Sequence, residues 1–143
     1  MIGSVIDGAY KVKSRLGEGA FGVVYECEET QLGRSVALKM LDPEHAGERE
    51  VKRFMAEGRN LASLNHPNVV QIYRLGEHEG KPYIVMEHLQ GRTLRDITSK
   101  GRLPMRHAVE ILRQLALGLQ AIHARDILHH DLSPNNMLVT DTG

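Results

Sequence analysis

One cysteine, Cys27, is all the chain holds, so it forms no internal disulfide, and no CxxC pair offers thiolates to zinc. A reducing, cytoplasmic compartment fits that scarcity, and Cys27 reads as a small strand residue rather than a reactive thiol. No run approaches the ~18 apolar residues that a bilayer-spanning helix needs. The start, MIGSVIDGAY, lacks both the basic n-region and the long apolar h-region of a secretory signal. Neither sign of charge is in excess. The 18 basic residues face 18 acidic ones, and the pI is near 7.1, which predicts no wholesale attraction to nucleic acid or to an anionic membrane. Internal repeats and low-complexity tracts are missing too. What is present, 143 residues of which 41% are hydrophobic and 25% charged, suits one globular domain with a sizeable core.

The stretch LGEGAFGVVYE, residues 16–26, places Gly17, Gly19 and Gly22 in G-x-G-x-x-G spacing. Two unrelated phosphate-binding designs use that spacing: a loop that opens a helix under a pyrophosphate, and a hairpin tip lying over ATP phosphates. Context separates them. Tyr10, Val12 and Leu16 alternate with polar residues before the glycines, and the β-rich VVYECEE follows, then the turn TQLGRS, then VALKML. These read as three consecutive antiparallel strands, so the loop joins strand to strand. Residues 44–64 have helical period, with Gly58 a blemish of about 1 kcal/mol relative to alanine. After NHPN come two more strands, VVQIYRLGE and KPYIVMEHL. From Gly91 the character turns helical: TLRDITSKG, with Thr93 as N-cap, and the long LPMRHAVEILRQLALGLQAIHARD. ILHHDLSPNN is loop-like, and MLVT a short strand. The expected fold is therefore α+β: a five-stranded antiparallel sheet with one helix over residues 1–87, a connector at 88–92, and the start of a helical segment over 93–143.

Three constellations carry chemistry. Missing side chains in the glycine loop let backbone N–H groups approach phosphate oxygens, although a flexible turn would look the same in sequence. In VALK, alternation sets Ala37 and Lys39 on one face and Val36, Leu38 and Met40 on the other. Small Ala37 beside an ammonium leaves room for a flat ring, and Glu57 on the following helix is the best carboxylate to steady Lys39. Asp42, Glu44, Glu48 and Glu50 sit near or before the helix start. HHDLSPNN sets Asp131 and Asn136 five residues apart, for a carboxylate that orients a hydroxyl nucleophile and an amide oxygen that binds Mg²⁺. Its Asp, Ser, Pro and Asn are also what turns prefer. His129 and His130 have no third ligand at a recognised zinc spacing, and His45, His66, His78, His88, His107 and His123 fit no ligand pattern.

Taken in order, GEGAFGVV, VALK and HHDLSPNN resemble the eukaryotic-type protein kinase family in its bacterial serine/threonine branch. FMAEGRNLASLNHPNVV is similar to that family's αC helix and turn into the fourth strand, and YIVMEHLQGRTL to its fifth strand and hinge. The resemblance implies a kinase N-lobe followed by an incomplete C-lobe, with ATP and Mg²⁺ as cofactors and a protein serine or threonine as acceptor. It implies that Leu16, Val24 and Ala37 cover adenine from above and Leu138 from below, with Met86 as gatekeeper. The backbone from Glu87 to Leu89 would bind the adenine edge. Lys39 would hold the α- and β-phosphates and pair with Glu57; Asp131 would be the catalytic aspartate and Asn136 a magnesium ligand. Two positions depart from the pattern. His130 stands where an arginine usually clamps a phosphorylated loop, and Ser133 where a lysine usually neutralises γ-phosphate charge. The D-F-G aspartate is expected beyond Gly143, so this stretch alone is expected to be impaired in transfer. Two other readings remain: a non-catalytic nucleotide-binding, pseudokinase-like interaction module, and a small-molecule phosphotransferase sharing H-x-D-x-x-x-x-N.

Overall fold

Strand alternation and hairpin turns account for the first half of the molecule. A computed structural model describes residues 1–18, 22–124 and 138–140. It divides into two compact units, one of Met1–Asn65 with Val70–His88, the other of His66–Val69 with Leu89–Gly143. The first unit holds strands β1 (Val5–Ile6), β2 (Tyr10–Glu18), β3 (Gly22–Glu29), β4 (Arg34–Leu41), β5 (Ile72–His78) and β6 (Lys81–Glu87), with helix α1 (Glu48–Ala62). All six strands form one antiparallel sheet in the order β1-β2-β3-β4-β6-β5. The sequence predicts five. The sixth, β1, has two residues, too few to display any alternation.

The sheet curls. β1 and β5 stand at opposite ends of the strand order, yet Asp7, just after β1, donates its backbone N–H to His78 Nδ1 at the end of β5, at 3.3 Å. The Asp7 carboxylate also accepts the Tyr83 hydroxyl from β6. That hydrogen bond is the main reason the Asp7 carboxyl lies below its ordinary 3.8, with His78 adding to it. Inside the curl, Val36, Leu38 and Met40 of β4 pack with Val12, Cys27 and Tyr83. Burial pushes the Cys27 thiol up to about 11, so it serves as packing and not as a nucleophile. Between β5 and β6, Glu79 (φ 51°) and Gly80 (φ 76°) form the two-residue turn with both φ positive that matches strand twist.

α1 starts four residues later than its periodicity predicts. Asp42 explains this: its side chain accepts from the Glu44 N–H (3.0 Å) and its carbonyl from the Ala46 N–H (2.9 Å), closing a separate turn first. The helix then packs on the opposite face of the sheet from the core cluster. Gly58 is buried there, and a Cβ on it would stand 2.5 Å from Leu75 Cδ2 and 2.8 Å from Ile84 Cδ1. This glycine is no blemish. It lets the helix axis sit close to β5 and β6, a packing fact that periodicity alone does not carry.

In the second unit, β7 (Gly91–Thr93) pairs with β8 (Leu138–Thr140), and α2 (Leu94–Thr98) follows β7 directly. The Thr93 hydroxyl caps α2 by accepting from the Asp96 N–H at 3.1 Å. α3 (Met105–His123) is the main helix of this unit. One side of it is covered: Ile122 is buried, and Ile111, Leu115 and Leu119 are half-buried. Among the described residues, Met105, Val109 and Leu112 stay exposed on another side, at 81%, 57% and 59%. The turn His66–Val69 belongs to this unit: Asn68 donates to Gln114 Oε1 at 3.3 Å, and Gly118 is buried against the Asn68 backbone.

Candidate functional site

β2 and β3 form an antiparallel hairpin whose arms lead into and out of the glycine stretch, with Gly17 opposite Val24 and Glu18 opposite Val23. The glycine motif therefore connects two strands, as the flanking sequence predicts. Gly19 lies outside the described residues. The other two glycines differ in what demands them. A Cβ at Gly22 would meet the Met40 carbonyl oxygen at 2.2 Å, so the β3–β4 approach excludes any side chain there. Around Gly17 nothing lies within 4 Å, leaving its flank open.

Register places the rest of one sheet face. Lys39 is opposite Val24 on β3 and Ile84 on β6, and Ala37 is opposite Glu26 and Met86. Directly opposed residues in an antiparallel sheet share a face. Val24, Ala37, Lys39, Ile84 and Met86 thus line the face away from the core cluster, the one α1 partly covers. Ala37 is buried, Val24 and Met86 are half-buried, and Leu16 is 46% exposed at the hairpin's edge. The Lys39 ammonium is exposed and sits 5.7 Å from the centroid of the Phe54 ring on α1.

The expected Lys39–Glu57 pair is not formed. Glu57 instead accepts from Arg53 Nε at 3.2 Å, one turn back on α1. An (i, i+4) partner is available as soon as the helix forms, while Lys39 must be met across the helix–sheet interface. Such an exposed pair is worth only ~0.3–0.5 kcal/mol. Among the described residues, Lys39 has no carboxylate partner. Helical period puts Phe54 on the apolar face of α1, and because it precedes Glu57 by three residues it shares that side of the helix, which is the signal for its contact with Lys39.

Glu87 is also committed locally. Its N–H donates to the Gln71 carbonyl (2.9 Å) and its Oε1 accepts from the Gln71 N–H (2.8 Å), so Glu87 has no backbone donor left for a ligand. Beside it lies a polar network absent from the sequence reading. Glu26 accepts from the Ser14 hydroxyl at 2.9 Å and the Ser35 hydroxyl at 3.3 Å, and Ser35 Oγ is 2.9 Å from His88 Nδ1. Ser14, Glu26 and Ser35 sit on three adjacent strands, and their meeting follows from register, which composition does not reveal. In the second unit, Leu89 is half-buried and Leu138, at the start of β8, is 38% exposed. Asp131 and Asn136, with His129 and His130, lie outside the described residues.

Among the described residues, the first unit thus sets the Lys39 ammonium, without a carboxylate partner, on one sheet face with Val24 and Ala37, and the β2 arm carries Gly17 with an open flank. The Mg²⁺ ligand expected at Asn136 falls outside the described residues, and the described part contributes no ligand set of its own.

Comparison with known proteins bears on the family and the fold. The sequence family described as "Protein kinase domain" matches residues 10–143. The serine/threonine-protein kinase PknA of Mycobacterium tuberculosis is 38% identical over 99% of this chain and 35% of its own length. PrkC of Bacillus subtilis is 38% identical over 100% of this chain and 22% of its own, and pkn2 of Myxococcus xanthus 41% over 95% and 16%. The chain thus spans about a third or less of the length of these curated relatives. The crystal structure of the Mycobacterium tuberculosis PknI kinase domain superposes with a TM-score of 0.87 at 29% identity, covering 99% of this chain and 58% of that one.

Proposed function

Because the chain belongs to the protein kinase domain family, we propose that it is the ATP-binding part of a serine/threonine protein kinase, a protein that transfers the γ-phosphoryl group to a protein hydroxyl. The observation that carries this reading is the exposed Lys39 ammonium on one sheet face with Ala37 and Val24, next to the glycine hairpin. Bound MgATP would supply the phosphoryl group. The chain's own residues do the binding: Leu16, Val24 and Ala37 cover an adenine ring, Met86 bounds its depth, and Lys39 neutralises α- and β-phosphate charge. The open flank of Gly17 allows backbone N–H groups to reach phosphate oxygens. Leu138, Asp131 and Asn136 take the parts that the family resemblance implies: apolar cover, orientation of the acceptor hydroxyl, and a metal ligand. We assign residues 1–87 to an N-lobe, 88–92 to a hinge and 93–143 to the beginning of a C-lobe. The expected setting is cytoplasmic.

The test is nucleotide-dependent stabilisation. At ATP one hundredfold above Kd, with Mg²⁺ present, a ligand that binds only the folded chain adds ~2.7 kcal/mol. A clear rise in Tm is expected for the wild-type chain and its loss for Lys39→Met, with circular dichroism unchanged. No stabilisation of the wild type by either ATP or ADP refutes the reading. A second reading, a non-catalytic nucleotide-binding module, is favoured by one feature, the capture of Glu57 by Arg53 in place of Lys39. The two separate on phosphate transfer: Asp131-dependent labelling of a protein serine or threonine in a chain carrying the complete domain supports the kinase, and stabilisation without transfer supports the module.

A further inference from the structure

We propose that the segment Arg92–Arg106 of the second unit is a docking surface for an acidic polypeptide, a finer statement of the substrate or partner class that rests on the kinase reading above. The charge of the chain balances overall but not locally. Within this segment Arg92, Arg95, Lys100, Arg102 and Arg106 face a single acid, Asp96, which leaves 13 basic and 17 acidic residues for the rest of the chain. All five cations are exposed. Several exposed cations elsewhere are held by carboxylates, Lys13 by Glu28, Arg34 by Glu29, Lys52 by Glu48 and Arg53 by Glu57, while the unpaired ones outside this segment, such as Lys11, Lys39 and Lys81, are scattered along the sequence. Among the described residues, none of the five has an ion-pair partner. Glu110, one turn beyond Arg106 on α3, is occupied by Arg113 at 2.6 Å and Gln114 at 3.1 Å, which hold its carboxyl down to about 2.

Backbone structure fixes the surface. Arg92 sits in β7 against Val139, and Arg95 lies on the capped helix α2. Lys100 and Arg102 flank Gly101, whose φ of 130° turns the chain toward α3. Several like charges on a short, ordered span set up a positive potential that attracts clustered carboxylates over roughly a Debye length, ~10 Å at 0.1 M salt. The segment is poorly suited to the other anionic partners. It has no aromatic residue on which nucleic-acid bases could stack, and Leu94, Ile97 and Leu103 are half-buried, leaving Met105 as its one exposed large apolar side chain for membrane insertion.

Fluorescence anisotropy with a labelled twelve-residue peptide of Glu, Asp and Ser tests the surface on the full chain at low salt, beside a neutral peptide of equal length. Each exposed charge pair is worth about 1.4- to 5-fold in affinity. The triple reversal Arg95→Glu, Lys100→Glu, Arg102→Glu is therefore expected to weaken binding at least about tenfold. The milder Arg95→Gln, Lys100→Gln, Arg102→Gln carries the same test with a smaller loss if the reversal does not fold. Reversing Arg49 and Lys52 on α1 is expected to leave binding within about twofold. Equal binding of the neutral peptide, an unaffected triple variant, an equally damaging α1 control, or stronger binding to phosphatidylglycerol vesicles than to the peptide overturns the proposal. Stabilisation by ADP is read in the same samples. No peptide binding with ADP stabilisation intact removes the surface and keeps the nucleotide reading; peptide binding without ADP stabilisation does the reverse.

Discussion

Replacing Gly58 by alanine sets two known effects against each other. On an exposed helix the change gains about 1 kcal/mol, because alanine loses less backbone entropy. Here the new Cβ would lie 2.5 Å from Leu75 Cδ2 and 2.8 Å from Ile84 Cδ1, with Ile84 Cγ1 at 3.3 Å. Ordinary carbon contacts are ~3.5–4.0 Å, so two methyls must retreat by about an ångström. They are not independent, since Leu75 and Ile84 are cross-strand partners and share the same space under α1. Overpacking of this kind costs about 1–3 kcal/mol. The balance is zero to ~2 kcal/mol of destabilisation, and Gly58→Leu should cost more. Urea denaturation followed by circular dichroism measures it, with Asn60→Ala on the exposed side of α1 as the propensity-only control. Should Gly58→Ala be stabilised by ~1 kcal/mol, as the control is expected to be in part, the close helix–sheet contact is wrong.

Two further outcomes follow from burial and hydrogen bonding. Tyr83→Phe removes the donor to Asp7 and should lose ~0.5–1.5 kcal/mol at about pH 7. The Asp7 carboxyl is held below its ordinary 3.8, so its contribution is complete above that pH and fades as pH falls through the depressed value. Urea midpoints taken down to about pH 3 should therefore drop less steeply in Tyr83→Phe than in the wild type, and an unchanged acid slope would break the assignment. On α3, Leu112→Lys should shift stability by no more than ~0.5 kcal/mol, whereas Ile122→Ala should lose ~2–5 kcal/mol, both read by denaturation. Comparable losses at the two positions would contradict the one-sided cover of this helix.

What the sequence made legible was whatever has a period or a spacing. Alternation through VALK put Ala37 and Lys39 on one face and Val36, Leu38 and Met40 in the core, and the strand character on both sides of Gly17 and Gly22 told a hairpin from a helix start. Thr93 was recognisable as a cap because capping is a local contact. Most of the misses are long-range, and the capture of Glu57 is a local one. Gly58 looked costly because the neighbours it accommodates, Leu75 and Ile84, are far away in the chain. Glu57 looked destined for Lys39 because Arg53, its partner one turn back, was not weighed. The Ser14–Glu26–Ser35–His88 network depends on strand register, and its members are separately unremarkable polar residues. β1 is too short to announce itself.

The four-residue excursion at His66–Val69 bears on how this molecule can be taken apart. The polypeptide leaves the first unit at Asn65, lends a turn to the second, and re-enters at Val70. A cut after His88 therefore yields no complete halves: the downstream piece would go without the Asn68 side chain that Gln114 holds and the backbone that Gly118 abuts. Dissection by simple truncation is expected to give a solid upstream product bearing an orphaned loop and a downstream product missing a wall. An expression strategy that wants the second unit by itself has to graft residues 66–69 back on, for instance through a short linker.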